Sequence, residues 1–264
     1  MTSKILSNKP LVEAIFELRW ELQEIQSEIN IMGPNIGLDP NYQIMIGRYY
    51  DRVSSEYPYY EKLSAAKMPE EISGYMVQQR FRTSKDKWPL IQIGPGIITL
   101  NDTDNYLWDD FYNRITQLID ILYEAYPTVD KDLNFNKIQL RYIDAVEFDF
   151  EKKNVFEFLK EMMKISVLLP NSLFKGSNVK SLPLGTDLRF SFPVIEPKGA
   201  IHLRFTQGKR KDEKAIIWET NIVSHKEDAP KIKKDILEWV NKAHDLTHDW
   251  FFKIIEGELE KRFE

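Results

Sequence analysis

An α+β fold, with antiparallel strands packed against long helices, follows from three patterns in the sequence. Residues 10–20 alternate strictly: Val12, Ala14, Phe16, Leu18 and Trp20 share one face, while Glu13, Glu17 and Arg19 share the other. Residues 106–126 carry Leu107, Phe111, Ile115, Leu118, Ile119 and Leu122 at three-and-four spacing, the mark of an amphipathic helix. Short strand-like runs separated by turn residues lie between such elements, the order expected when a sheet buries one face against helices.

Each element has its own signal. After the first strand, residues 24–40 contain Gly33-Pro34, Gly37 and Asp39-Pro40, which leave room only for a short helix or a loop. Residues 42–66 read as a helix around Ile44, Ile46, Tyr49, Tyr50 and Val53, interrupted at Pro58. Strands return at 75–83 and 88–93, and Gly94-Pro95-Gly96 makes a tight turn into Ile97-Ile98-Thr99-Leu100. Asp102 or Asp104 is placed to cap the 106–126 helix, and Pro127 stands just past its end.

The order then repeats. A strand at 137–150 and a helix at 155–166 precede a polar, breaker-rich loop at 170–185. Strands follow at 187–195, 200–207 and 215–223, with a charged hairpin region at 208–214, and a long helix closes the chain over 230–263. The sequence therefore divides into an N-terminal α+β half, 1–130, and a C-terminal one, 131–264, packed as one unit. Asp110-Phe111-Tyr112-x-x-Ile115 and Asp249-Trp250-Phe251-x-x-Ile254 give the two long helices a faint likeness. Helix-grip and saddle-like folds are the nearest architectures to such a pair of halves.

Composition narrows the function classes. With 42% hydrophobic and 12% aromatic residues, the 264-residue chain can bury a core. Its net charge of −5 gives no overall attraction to nucleic acid or an anionic membrane. The absence of cysteine excludes disulfides, thiolate metal sites and cysteine nucleophiles, and leaves the redox compartment open. Neither a signal-peptide core nor an apolar run long enough to span a bilayer is present, so a cytoplasmic protein is the expectation.

The polar faces of the strands supply the first candidate site. Glu13, Glu17 and Arg19 on the first strand join Gln139 and Arg141, then Arg189, His202, Arg204, Glu219 and Asn221 on later ones. If these strands are neighbours, carboxylates and guanidiniums form a ladder. It is either a solvated ion-pair face or a surface where arginine forks hold a carboxylate, a phosphate or a partner, with Glu13 and Glu17 paired to Arg141 or Arg189.

His244 and His248, four apart on the closing helix, are the weak metal candidates, since they lack an identified third ligand and the metalloprotease pattern. Lys209, Arg210 and Lys211 form the densest basic cluster, the one place where a nucleic-acid backbone would be met. Gly94-Pro95-Gly96 lacks the further glycines and lysine of a phosphate loop, and no nucleophile elbow occurs. No cofactor is implied, and the abundant aromatics read chiefly as core, with a ligand cavity under the helix as their other use.

The stretch Pro10 to Glu17, Pro-Leu-Val-Glu-Ala-Ile-Phe-Glu, with Ala243-His244 and Phe251 near the end, resembles a sporadically distributed prokaryotic family of unknown function. That resemblance spans essentially the whole chain, implies an accessory, mobile-element or defence-type gene system, and carries no catalytic residues. The expectation is a non-enzymatic component that recognises a protein partner through the charged strand face. A helix-grip module for a small ligand is the alternative, and an enzyme acting on nucleotides or nucleic acid comes after it.

Overall fold

Nine antiparallel strands form one sheet in the computed structural model, which describes residues 6–24, 37–103 and 106–264. In chain order the elements are β1 (Leu11–Trp20), α1 (Tyr42–Val53), β2 (Tyr59–Lys62), β3 (Gln79–Arg82), β4 (Leu90–Gly94), β5 (Ile97–Asp102) and α2 (Trp108–Ala125). There follow α3 (Val129–Asp132), β6 (Phe135–Glu147), α4 (Val155–Met163), β7 (Asp187–Val194), β8 (Gly199–Arg210), β9 (Glu213–His225), α5 (Lys233–Ile255) and α6 (Glu258–Phe263).

The sheet order is β2-β3-β4-β5-β1-β6-β9-β8-β7. Its centre is the antiparallel pair β1–β6, the opening strands of the two halves. Each opening strand also pairs with the last strand of its own half, β1 with β5 and β6 with β9. The two halves thus repeat one strand-helix-strands-helix plan about the sheet centre, the first half carrying one strand more.

The core lies on the helix-facing side of the sheet. Phe16, Leu18 and Trp20 of β1 and Ile138 and Leu140 of β6 are buried against Phe111, Ile115 and Leu118 of α2 and Trp239, Val240 and Ala243 of α5. A second cluster gathers Phe148, Leu159, Phe205, Trp218, Leu259 and Phe263 beneath α4 and α6. Trp250 packs against both clusters. Each fully buried side chain of this size contributes about 1.5–3 kcal/mol.

Asp39 fastens the first half. Its carboxylate is 5% exposed and accepts from Trp20 Nε1 (2.9 Å), Tyr126 Oη (2.9 Å), the Asn41 amide (3.1 Å) and the Gly96 amide (3.3 Å). Beside it, Gly94 is required by close approach: a Cβ there would lie 1.9 Å from the Met76 carbonyl oxygen.

Several boundaries differ from the sequence reading. A β-bulge between Leu11 and Glu13 turns Leu11 inward, so Leu11 is buried and Val12 only half so. Where a helix was expected to resume after Pro58, Tyr59–Lys62 forms β2, and Tyr60 stacks on Phe81 and packs at a tilt against Tyr50. Lys164 takes a left-handed conformation (φ 60°) and ends α4 early. Gly257 (φ 105°) breaks the closing helix into α5 and α6. Asp102 accepts from the Thr103 amide rather than capping α2, and Asp104, like most of 24–40, lies outside the described residues. No described helix is long and apolar enough to cross a membrane.

Candidate functional site

A half-open cavity of about 140 Å³ lies under α5, where the two hydrophobic clusters meet. Strand alternation and helix periodicity together build it. Tyr142 and Asp144 project from the helix-facing side of β6, continuing the row of Ile138 and Leu140, with Thr220 and Trp218 opposite them on β9. His244, Thr247, His248 and Phe251 are spaced i, i+3, i+4 and i+7, so α5 presents them as one stripe. Leu107 and Trp108 at the start of α2, with Pro10 and the inward-turned Leu11, close the other side.

Most of the wall is apolar, and the polar groups within it are held in place. The Tyr142 hydroxyl lies 2.9 Å from the Tyr106 hydroxyl and 3.0 Å from His244 Nδ1. The His244 ring stacks on Trp108 with centroids 3.6 Å apart and planes within 6°. Burial, aided by His248, pushes the His244 imidazole down to about 3, so it is neutral at ordinary pH. Burial likewise drives the Tyr106 and Tyr142 hydroxyls well above the usual tyrosine range.

Asp144 stands outside this network. It is 3% exposed, lines the cavity, and receives no hydrogen bond at its carboxyl among the described residues. Burial pushes this carboxyl up to about 8, against a smaller opposing pull from Arg210. Near neutral pH it is therefore mostly protonated, an acid with one O–H to donate. Arg210 donates to the carbonyls of Ala145 (3.3 Å) and Lys9 (3.1 Å), and Lys9 Nζ donates to the Tyr106 carbonyl (2.6 Å). Lys9 lines the pocket, and Arg210, outside its lining, acts by its charge on the buried acid. Such a group can bind a polar ligand end or exchange a proton with it.

The charged strand residues form separate groups on the opposite face. Arg141 pairs with Glu219 (2.7 Å), Glu219 with Arg204 (3.4 Å), Arg204 with Asp187 (2.9 Å) and Asp187 with Arg189 (2.8 Å), one chain across β6, β9, β8 and β7. Glu17 instead bonds Lys137 (2.7 Å) and Arg19 (2.8 Å), and Glu13 accepts from Asn101 (2.7 Å). The expected pairing of Glu13 and Glu17 with Arg141 or Arg189 does not form. Arg141 stands opposite Ile15 in the ladder, between the positions facing Glu13 and Glu17, and Arg189 is on the far edge of the sheet. Burial would raise the Glu17 carboxyl, but the charges of Lys137 and Arg19 and their hydrogen bonds outweigh it and hold it low. Hydrogen bonds from Arg204 and Arg189 keep Asp187 well below the carboxylate range.

The other candidates separate as well. His244 and His248 face the cavity, with ring centroids 5.5 Å apart, and no group of three or more metal-ligating side chains gathers among the described residues. Lys209 and Lys211 are exposed near a two-residue hairpin tip, Lys211-Asp212, both at positive φ. Arg210 leaves that basic cluster and turns toward the start of β1. No protein-family profile matches the sequence, and no curated protein does either.

Tyr142, Asp144 and Thr220 escaped the sequence reading, although a signal for Asp144 exists. Once Gln139 and Arg141 are placed outward, alternation puts Asp144 in line with Ile138 and Leu140, an acid on an apolar face. Thr220 stands in the same relation to Asn221 on β9.

Proposed function

We propose that this protein binds a small, largely apolar ligand in the cavity beneath α5. The observation that carries the reading is Asp144, a buried acid without a hydrogen-bond partner among the described residues, facing an aromatic-walled space. Buried polar groups are almost always satisfied, and a ligand supplies what this one lacks. The volume, about 140 Å³, is close to that of an engineered protein cavity of about 150 Å³ that takes up benzene. Single-ring compounds or branched chains of similar size are the right scale. Native mass spectrometry of freshly purified protein, followed by ligand-observed NMR with single-ring probes, tests this. Binding that Leu11→Phe abolishes by filling the cavity supports it, and binding unaffected by that change refutes it.

A second reading, recognition of a protein partner, rests on a different surface. Leu168 and Ile195 are each 94% exposed, Leu173 and Leu184 are exposed as well, and so are Phe190 and Phe192 on β7, the edge strand that also carries Asp187 and Arg189. Exposed large apolar side chains on a sheet edge strand are a usual feature of an interaction surface. Affinity capture with the wild type and with Phe192→Ser or Arg189→Glu tests it, and capture unchanged in both variants removes it. The accessory or defence-type role implied by the resemblance of Pro10–Glu17 belongs with this reading and assigns no residue to the cavity.

A further inference from the structure

We propose that the cavity selects ligands whose polar end is an ammonium, held by the Asp144 carboxylate and the Thr220 hydroxyl, with the apolar part of the ligand against the aromatic wall. This rests on the ligand-binding reading and adds the chemistry of the head group. Asp144 and Thr220 are 3% and 2% exposed, both line the cavity, and neither side chain makes a hydrogen bond among the described residues. They are diagonal neighbours on one face of the β6–β9 ladder, where Asp144 stands opposite Trp218 and Tyr142 opposite Thr220, so one head group can touch both. By contrast, the Tyr142 hydroxyl lies between Tyr106 and His244, Thr247 donates to the Ala243 carbonyl, and Lys9 sets its ammonium on the Tyr106 carbonyl.

Three head groups could meet an acid and a hydroxyl: a carboxylate, a neutral donor and an ammonium. A carboxylate brings only acceptors, and the lining has no free cation to answer its charge. Arg210 is outside the lining, with its guanidinium on the carbonyls of Ala145 and Lys9. Lys9 lines the cavity, but its ammonium is engaged by Tyr106 and its charge acts on Asp102. A neutral hydroxyl or amide would be served equally well by Asn at position 144, without the cost of burying an ionisable group. Only a cationic end gains from the acid itself. Its N–H donors can reach the two carboxylate oxygens and the Thr220 hydroxyl oxygen, and such charge-assisted bonds are about twice as strong as neutral ones. Tyr142, Phe251 and Phe252 add aromatic rings, which attract a cation over their faces. The proton that burial keeps on Asp144 leaves to solvent when an ammonium binds, or passes to nitrogen when a free amine does, and both routes end in one carboxylate–ammonium pair.

The experiment titrates the full chain with benzylamine, benzyl alcohol, benzoate and toluene at neutral pH, by calorimetry or ligand-observed NMR, in the wild type and in Asp144→Asn. Expected is that benzylamine binds most tightly and is displaced by toluene, which places it in the cavity rather than on the surface of a chain with net charge −5. In Asp144→Asn the affinity for benzylamine falls by about 30-fold, while that for toluene stays within about twofold. If that variant does not fold, the wild-type order of the probes and the displacement by toluene decide alone. Three results overturn the ammonium inference: benzyl alcohol or benzoate binding as tightly as benzylamine, benzylamine that toluene does not displace, or benzylamine affinity unchanged in Asp144→Asn. Toluene binding in any of these cases leaves the cavity reading in place. Failure of all four probes overturns both.

Discussion

Replacing Asp144 by Asn should make the protein more stable, by an amount that grows with pH. The carboxyl is raised to about 8 in the folded chain by burial, against about 3.9 when exposed. Between those values the folded state holds a proton that the unfolded state has released, so wild-type stability falls as pH rises. The contribution is fully present below about pH 4 and is lost by the time pH has passed through 8. Each pH unit inside the window is worth about 1.4 kcal/mol. At pH 7 the handicap is therefore on the order of 4 kcal/mol, a large part of a typical folding free energy. Asn does not titrate, so the gap between variant and wild type should widen by about 1.4 kcal/mol per unit from pH 5 to pH 7.5 and level off above about 8. Urea unfolding of both proteins at five pH values measures it. Parallel stability curves would show that Asp144 is solvated or paired in solution, and the reasoning from its burial would fail.

Other perturbations test the frame around the site. Gly94→Ala places a methyl group 1.9 Å from a backbone oxygen, so the turn must open, and loss of more than about 3 kcal/mol in urea unfolding is expected. Asp39→Asn keeps the shape but loses the charge that four donors share, and thermal unfolding should show about 2–4 kcal/mol of destabilisation. Arg204→Ala cuts an exposed ion-pair chain on the opposite face, so stability should change by less than about 1 kcal/mol and the binding of single-ring probes not at all.

The architecture was legible because sheet and helix periods are local properties of the chain. The alternation around Phe16 and the three-and-four spacing around Ile115 named the core faces directly, and the order of elements disclosed two halves. What was not legible depended on single-residue shifts or on distance in the chain. The bulge at Val12 reversed Leu11 and Val12 because a one-residue insertion flips every side chain before it. The partners of Glu13 and Glu17 were misjudged because register between strands 120 residues apart, as in Glu17 and Lys137, is set by the whole sheet. The cavity needed Leu6, Trp108, Asp144 and His244 to meet, and nothing in their separate segments says that they do.

The contrast between two buried aspartates is the strongest reason to place function at this seam. Asp39 and Asp144 are almost equally buried, at 5% and 3% exposure. Four donors surround the first, which is what a carboxylate retained for structure requires. The second has none among the described residues and carries a stability handicap that Leu or Asn would not. Its neighbours Tyr106, Tyr142 and His244 satisfy one another, so the local network is well made and Asp144 stands outside it. Trp250 shows that side chains can bridge the two cores, and a seam serving only to hold them together would be filled in the same way. A space left open beside an acid left unpaired is instead the form of a site whose missing partner arrives with the ligand.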